Sequence, residues 1–185
     1  VVSTGTSDTQ MTVSGTALAD GGFALVWQHV VNGAPAGAQM WKRFDATGTA
    51  LTGDISAMPT PSGGGYWDAN GGEIVQLQDG TLAIIWSGRA GTTDYEIYMS
   101  RFDLAGNALG GPAVVNSSTS AGHQEHAKGV VLANGNVAVL WTSGDASGDG
   151  VYYRIMSPTG TVVTAVATVN SFTPNSQYYP DVAAL

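Results

Sequence analysis

Three runs of the chain superimpose without a gap: Asp20-Gly21-Gly22-Phe23-Ala24-Leu25-Val26-Trp27, Asp79-Gly80-Thr81-Leu82-Ala83-Ile84-Ile85-Trp86 and Asn134-Gly135-Asn136-Val137-Ala138-Val139-Leu140-Trp141. The tryptophans recur at separations of 59 and 55 residues. A second marker follows each run in the same order: Arg43-Phe44-Asp45-Ala46-Thr47-Gly48, Arg101-Phe102-Asp103-Leu104-Ala105-Gly106, and the weaker Arg154-Ile155-Met156-Ser157-Pro158-Thr159-Gly160. A repeat of about 55 residues carrying both markers restricts the chain to an array of like units.

Each unit reads as four strands. An apolar segment ending in Leu (Met11 to Leu18, Glu73 to Leu77, Gly129 to Leu132) runs into Asp-Gly or Asn-Gly, a hairpin signal in which both residues tolerate positive φ. The second strand ends at the Trp. A third leads into the Arg-containing marker (Ala38 to Phe44, Glu96 to Phe102, Val151 to Ile155), and a fourth follows, clearest at Ala113 to Asn116 and Ala167 to Asn170. Phe23 to Trp27 and its copies are apolar on both faces, as a strand packed between neighbouring sheets requires. Four antiparallel strands in a unit of this size match a propeller blade. A β-solenoid coil is shorter, and a β-sandwich would not impose one spacing three times. The expected fold is therefore all-β, with antiparallel four-stranded blades, about three in the chain.

The 185 residues read as one repeat domain, with units over 7–59, 60–116 and 117–170, and 171–185 starting a further unit. The last stretch, Val169-Asn170-Ser171 through Gln177-Tyr178-Tyr179-Pro180-Asp181-Val182-Ala183-Ala184-Leu185, copies Val115-Asn116-Ser117 through Leu132, and residues 1–10 resemble the end of a preceding unit. Three blades are too few to close a ring. The expectation is association into a larger propeller, for example two chains making six blades, or neighbouring repeats of a longer chain.

Composition narrows the partners. Six basic against fourteen acidic residues give a formal net charge of -8, which repels phosphate backbones and anionic headgroups, so nucleic acid is excluded as a partner. Absent cysteine removes disulfides, thiolate metal sites and a cysteine nucleophile. No apolar run approaches the ~20 residues that span a bilayer, and no signal-peptide pattern opens the chain, which reads as a processed or excised segment.

The pattern Gln-x-x-Pro-x-Val-Ala-Ala-Leu at 177–185, with Asp-Gly-Gly-Phe-x-x-Val-Trp at 20–27, Arg-Phe-Asp-x-x-Gly and the Val-Asn-Ser stretches, resembles repeats of large bacterial RTX-type secreted proteins and adhesins. The resemblance covers nearly the whole chain. It implies a secreted or cell-surface location and a structural repeat, and it is weakly specific for any activity. The middle unit departs from it: Gly63-Gly64-Gly65-Tyr66-Trp67-Asp68 replaces the Gln-containing approach.

Candidate functional residues fall into five groups. Asp20, Asp79 and Asn134 read as turn residues bonding their own backbone. Trp27, Trp86 and Trp141 read as core between blades, whereas the non-repeated aromatics Trp41, Tyr66, Trp67, Tyr95, Tyr178 and Tyr179 are candidates for stacking on sugars. Asp145 and Asp149, four residues apart among glycines, are candidate calcium ligands, without the EF-hand or nonapeptide pattern. His123, Gln124, Glu125 and His126 form a dense polar cluster read as an exposed loop, with His29 elsewhere in the first unit. Carboxylates for glycoside cleavage exist at Asp68, Glu73, Asp94, Glu96 and Glu125, but spacing singles out no pair. No G-x-S-x-G, P-loop or H-E-x-x-H occurs. These residues favour a non-enzymatic binding or adhesion module, lectin-like and engaging glycans at loops repeated once per blade. The alternatives are a purely structural repeat and a fragment of a propeller glycoside hydrolase.

Overall fold

The computed structural model describes residues 2–3, 8–30, 37–58, 67–90, 94–116, 122–144, 148–172 and 174–185, with the backbone alone at 67–70 and 90. The described residues contain twelve strands and no helix. The first sheet holds β1 (Thr9–Ala17), β2 (Phe23–Val30), β3 (Gly37–Phe44) and β4 (Ile55–Ser56) in that order. The second holds β5 (Trp67–Gln76), β6 (Leu82–Ala90), β7 (Glu96–Phe102) and β8 (Ala113–Val114). The third holds β9 (Gln124–Val131), β10 (Val137–Gly144), β11 (Asp149–Met156) and β12 (Ala167–Thr168). All neighbours pair antiparallel. The protein is thus an all-β array of three four-stranded blades, as the repeat predicts.

The two repeated markers build one turn system. At each hairpin the glycine, not the residue before it, takes the left-handed conformation: Gly21, Gly80 and Gly135 have φ of 86°, 82° and 83°. Each donates its N–H to the preceding Leu carbonyl (Leu18, Leu77, Leu132), and that Leu N–H donates to residue 22, 81 or 136, which makes the loop longer than a two-residue hairpin. The Asp or Asn side chain accepts from the backbone two residues on: Gly22 N to Asp20, Thr81 N to Asp79, both 2.9 Å, and Asn136 N to Asn134, 3.1 Å. The arginine of the second marker reaches back to the first. Arg43 pairs with Asp20 and Arg101 with Asp79. In the third unit, where Asn134 carries no charge, Arg154 donates to the Val115 carbonyl of the preceding sheet instead.

These turns couple folding to the ionisation of their carboxylates. The Gly22 amide, with Arg43, lowers the pKa of Asp20 from its ordinary 3.8, and the Thr47 hydroxyl does so for Asp45, the Thr81 hydroxyl for Asp79 and the Asn107 amide for Asp103. Folding lowers each value, so the unfolded chain binds more protons, and the stabilisation is full above 3.8 and lost as pH falls through the folded-state values. Thermal unfolding followed from pH 6 downward should show the midpoint fall below about pH 4. Asp45→Asn with Asp103→Asn should flatten that fall. An unchanged slope in the double variant would remove these turns from the account.

The interior lies between the sheets. Ala24, Val26 and Trp41 of the first meet Ile74, Ile84 and Trp86 of the second, and Ala83, Ile85 and Met99 of the second meet Val139 and Trp141 of the third. Trp27, Trp86 and Trp141 are buried, as their apolar neighbours imply. Trp41 corrects the sugar-stacking expectation. It is fully buried, its ring 5.3 Å from that of Phe102, and no face of it is open to a ligand. It stands where Met99 and Tyr153 stand in the other units, opposite Val26, and so fills the space between two sheets.

Candidate functional site

The first strand of every unit is the innermost: β1 packs on β5 and β5 on β9, while the two-residue fourth strands lie outermost. Each first strand carries a bulge directly opposite the repeated Trp. In β1 the register jumps between Met11 and Ser14 across from Trp27, in β5 between Asn70 and Gly72 beside Trp86, and in β9 between Glu125 and Lys128 across from Trp141. One residue of each bulge has positive φ: Thr12 at 45°, Gly71 at 66° and His126 at 57°. A non-glycine there is strained, a condition that concentrates at functional sites. Tyr179 in the tail repeats the conformation at 57°.

The bulges and the tail converge on a recess of about 240 Å³, lined by Thr12 to Ser14, Gly71, Gly72, His126 to Lys128, Tyr179 and Pro180. Equivalent positions carry different chemistry here. Ser14 donates to Glu73, and Lys128 donates to the other Glu73 oxygen at 2.7 Å, so three sheets are tied at the axis by one carboxylate. The Nδ1 of His126 is buried without a hydrogen-bond partner.

A second recess of about 310 Å³ shares His126 and is lined also by His123, Glu125, Thr142, Asp149 and Tyr178. The His126 ring lies 4.4 Å from that of Tyr179 and 6.5 Å from that of Tyr178. Both tyrosines are exposed. Tyr95 is half-buried. Its ring packs on His123 at 5.3 Å and beneath the Arg89 guanidinium at 5.1 Å, and its N–H donates to His123 Nδ1.

Of the sequence candidates, the structure therefore gathers Tyr178, Tyr179, Asp149, His123, Glu125 and His126 at one end of the array. Tyr66 and Asp145 lie outside the described residues, and only the backbone of Trp67, paired with Ala90, is described. Asp149 accepts from the Ser176 hydroxyl at 3.1 Å, and among the described residues no three acidic or histidine side chains group as metal ligands. The polar cluster is not an exposed loop: Gln124 to His126 open β9, and Gln124 is fully buried, bonded to Asn116 and Ser143. Sequence reading missed Thr12, Ser14 and Lys128, because no shared residue type marks the bulge. Counting back from each Asp-Gly or Asn-Gly to the position opposite the Trp is the signal that finds it.

No protein-family model and no curated protein matches the chain. Among solved structures it is similar to an α-L-arabinofuranosidase from Lactobacillus brevis (TM-score 0.57, 11% identity, covering 86% of this chain and 54% of that one). It is similar also to an endo-arabinase from Bacteroides thetaiotaomicron (TM-score 0.56, 15% identity, 93% and 60% covered) and to a polysaccharide lyase (TM-score 0.53, 15% identity, 92% and 41% covered). The chain shares their fold. It spans 41% to 60% of their lengths, and each of the three is by its name an enzyme acting on carbohydrate.

Proposed function

We propose that the chain is a segment of a carbohydrate-cleaving propeller that takes saccharide at the axial end, between the His126 bulge and the tail tyrosines. The observation that carries this reading is that Glu125 and Asp149 line one recess together with His126 and Tyr178. Glycoside cleavage needs one carboxyl group to protonate the leaving oxygen and a second to activate water or attack the sugar, and both must face one ligand. The tyrosine rings supply the flat apolar surface on which a sugar stacks, and Lys128 with His126 supplies donors for hydroxyl groups. The fold likeness to an arabinofuranosidase and an endo-arabinase supports a pentose-containing substrate, and it supports the hydrolase reading over the adhesion module expected from the residues alone.

The test is product release from arabino-oligosaccharides and aryl arabinofuranosides. Turnover is expected, and Glu125→Gln and Asp149→Asn should each lower it by about 10²–10⁴-fold while the circular dichroism spectrum is kept. Binding without turnover returns the chain to the lectin-like class. Neither binding nor turnover rejects carbohydrate altogether.

A further inference from the structure

The tail from Val169 onward repeats, bond for bond, the clasp that leads from the second sheet into β9. Val169 N donates to the Val151 carbonyl as Val115 N does to Ile97, both at 2.8 Å. Val151 N donates to Asn170 Oδ1 as Ile97 N does to Asn116 Oδ1, again both at 2.8 Å. Asn170 Nδ2 donates to Gln177 Oε1 as Asn116 Nδ2 does to Gln124 Oε1, both at 2.9 Å. Gln177 N donates to the Asp149 carbonyl as Gln124 N does to that of Tyr95. Two residues later Tyr179 adopts the φ of 57° found at His126, and Pro180 is buried. Gln124 begins an innermost strand that β10 pairs along its length. Residues 177–185 hold the same start and pair with no strand of any sheet among the described residues.

The third sheet is less covered than the other two at equivalent positions. Ala57 and Val115 are 2% and 0% exposed, because the next sheet covers them, whereas Val169 at the equivalent position is 52% exposed. Tyr153 is half-buried where Trp41 and Met99 are fully buried.

We propose that residues 177–185 are the preset innermost strand of a fourth blade, whose partner is a three-stranded segment of this repeat type. That segment opens with Asp-Gly or Asn-Gly after the position of Leu185, which matches Leu132, and its second strand ends in a Trp lying opposite Tyr179 and Pro180. Apolar residues of that strand cover Val169 and Tyr153, as Val139 and Trp141 cover the second sheet. Backbone pairing along the strand supplies affinity, and alternate side chains supply register. A second copy of the chain does not fit the place, since it brings its own β1 and would have to displace the clasped tail. The inference is independent of the carbohydrate reading.

The experiment extends the chain at Leu185 with a second copy of residues 133–170, and in a separate protein with residues 78–116. Hydrogen exchange is read at residues 181–185 in each and in the unextended chain. At least one extension should slow exchange of these amides by more than about tenfold and raise the unfolding temperature, as pairing of a fraying segment requires. Replacing the extension's Trp by Asp should abolish both effects. Unprotected amides in both extended proteins would overturn the proposal, as would an unextended chain that dimerises with residues 181–185 protected.

Discussion

Trp86→Ala is expected to lower the unfolding free energy by about 3–5 kcal/mol, the cost of truncating a fully buried aromatic without collapse of the cavity. The ring has no exposed surface, stacks on Tyr98 at a centroid distance of 4.7 Å, and donates its Nε1–H to Ser100 Oγ at 3.0 Å. It stands in the cluster shared with Val26 and Trp41 of the first sheet, so the void would open between two hydrogen-bonded sheets, where backbone cannot close in. Equilibrium urea unfolding measures the loss. Trp27→Ala should cost less, since Phe23 and Leu25 beside it are only half-buried. A loss at Trp86 no larger than that at Trp27 would contradict the sheet-on-sheet packing.

Asn116→Ala should follow with a loss of about 2–6 kcal/mol, because two buried groups lose their partner and each costs about 1–3 kcal/mol. Asn116 is buried, accepts from the Ile97 N–H and donates to Gln124, whose own side chain is fully buried. Alanine leaves the Ile97 N–H and the Gln124 amide oxygen without these bonds in the dry interior. The same change at Asn170 breaks the equivalent bonds to Val151 and Gln177, but that clasp is half-buried, and water replaces what is removed. The two variants, unfolded in parallel, should therefore differ by a factor of two or more in free energy. Equal losses would mean that the tail is as deeply covered as β9.

The blades, their strand order and the turn chemistry were legible because the repeat states the same local instruction three times. Asp20, Asp79 and Asn134 each sit one residue before a glycine that takes positive φ, and each bonds the backbone two residues ahead. The buried tryptophans were legible for the same reason. What the repeat does not state is the axis. Thr12, Gly71 and His126 share a backbone conformation but no chemistry, because the bulge is imposed by the register opposite the Trp rather than by its own side chain. Ser14, Glu73 and Lys128 likewise differ because they meet one another: three equal side chains could not form one ion pair with a hydroxyl donor. Trp41 misled for the opposite reason. Being unrepeated, it looked functional, yet it fills the gap that Met99 fills in the next unit.

A heteronuclear NMR titration with linear arabino-oligosaccharide, following backbone and aromatic signals together, tests the carbohydrate site most directly. A carbohydrate site at the axial end predicts saturable shifts clustered at Glu125, His126, Lys128, Asp149, Tyr178 and Tyr179, with the turn residues Asp20, Asp79 and Asp103 unmoved. Shifts confined to the outer turns, or none at saturating sugar, would contradict a carbohydrate site at the axial end.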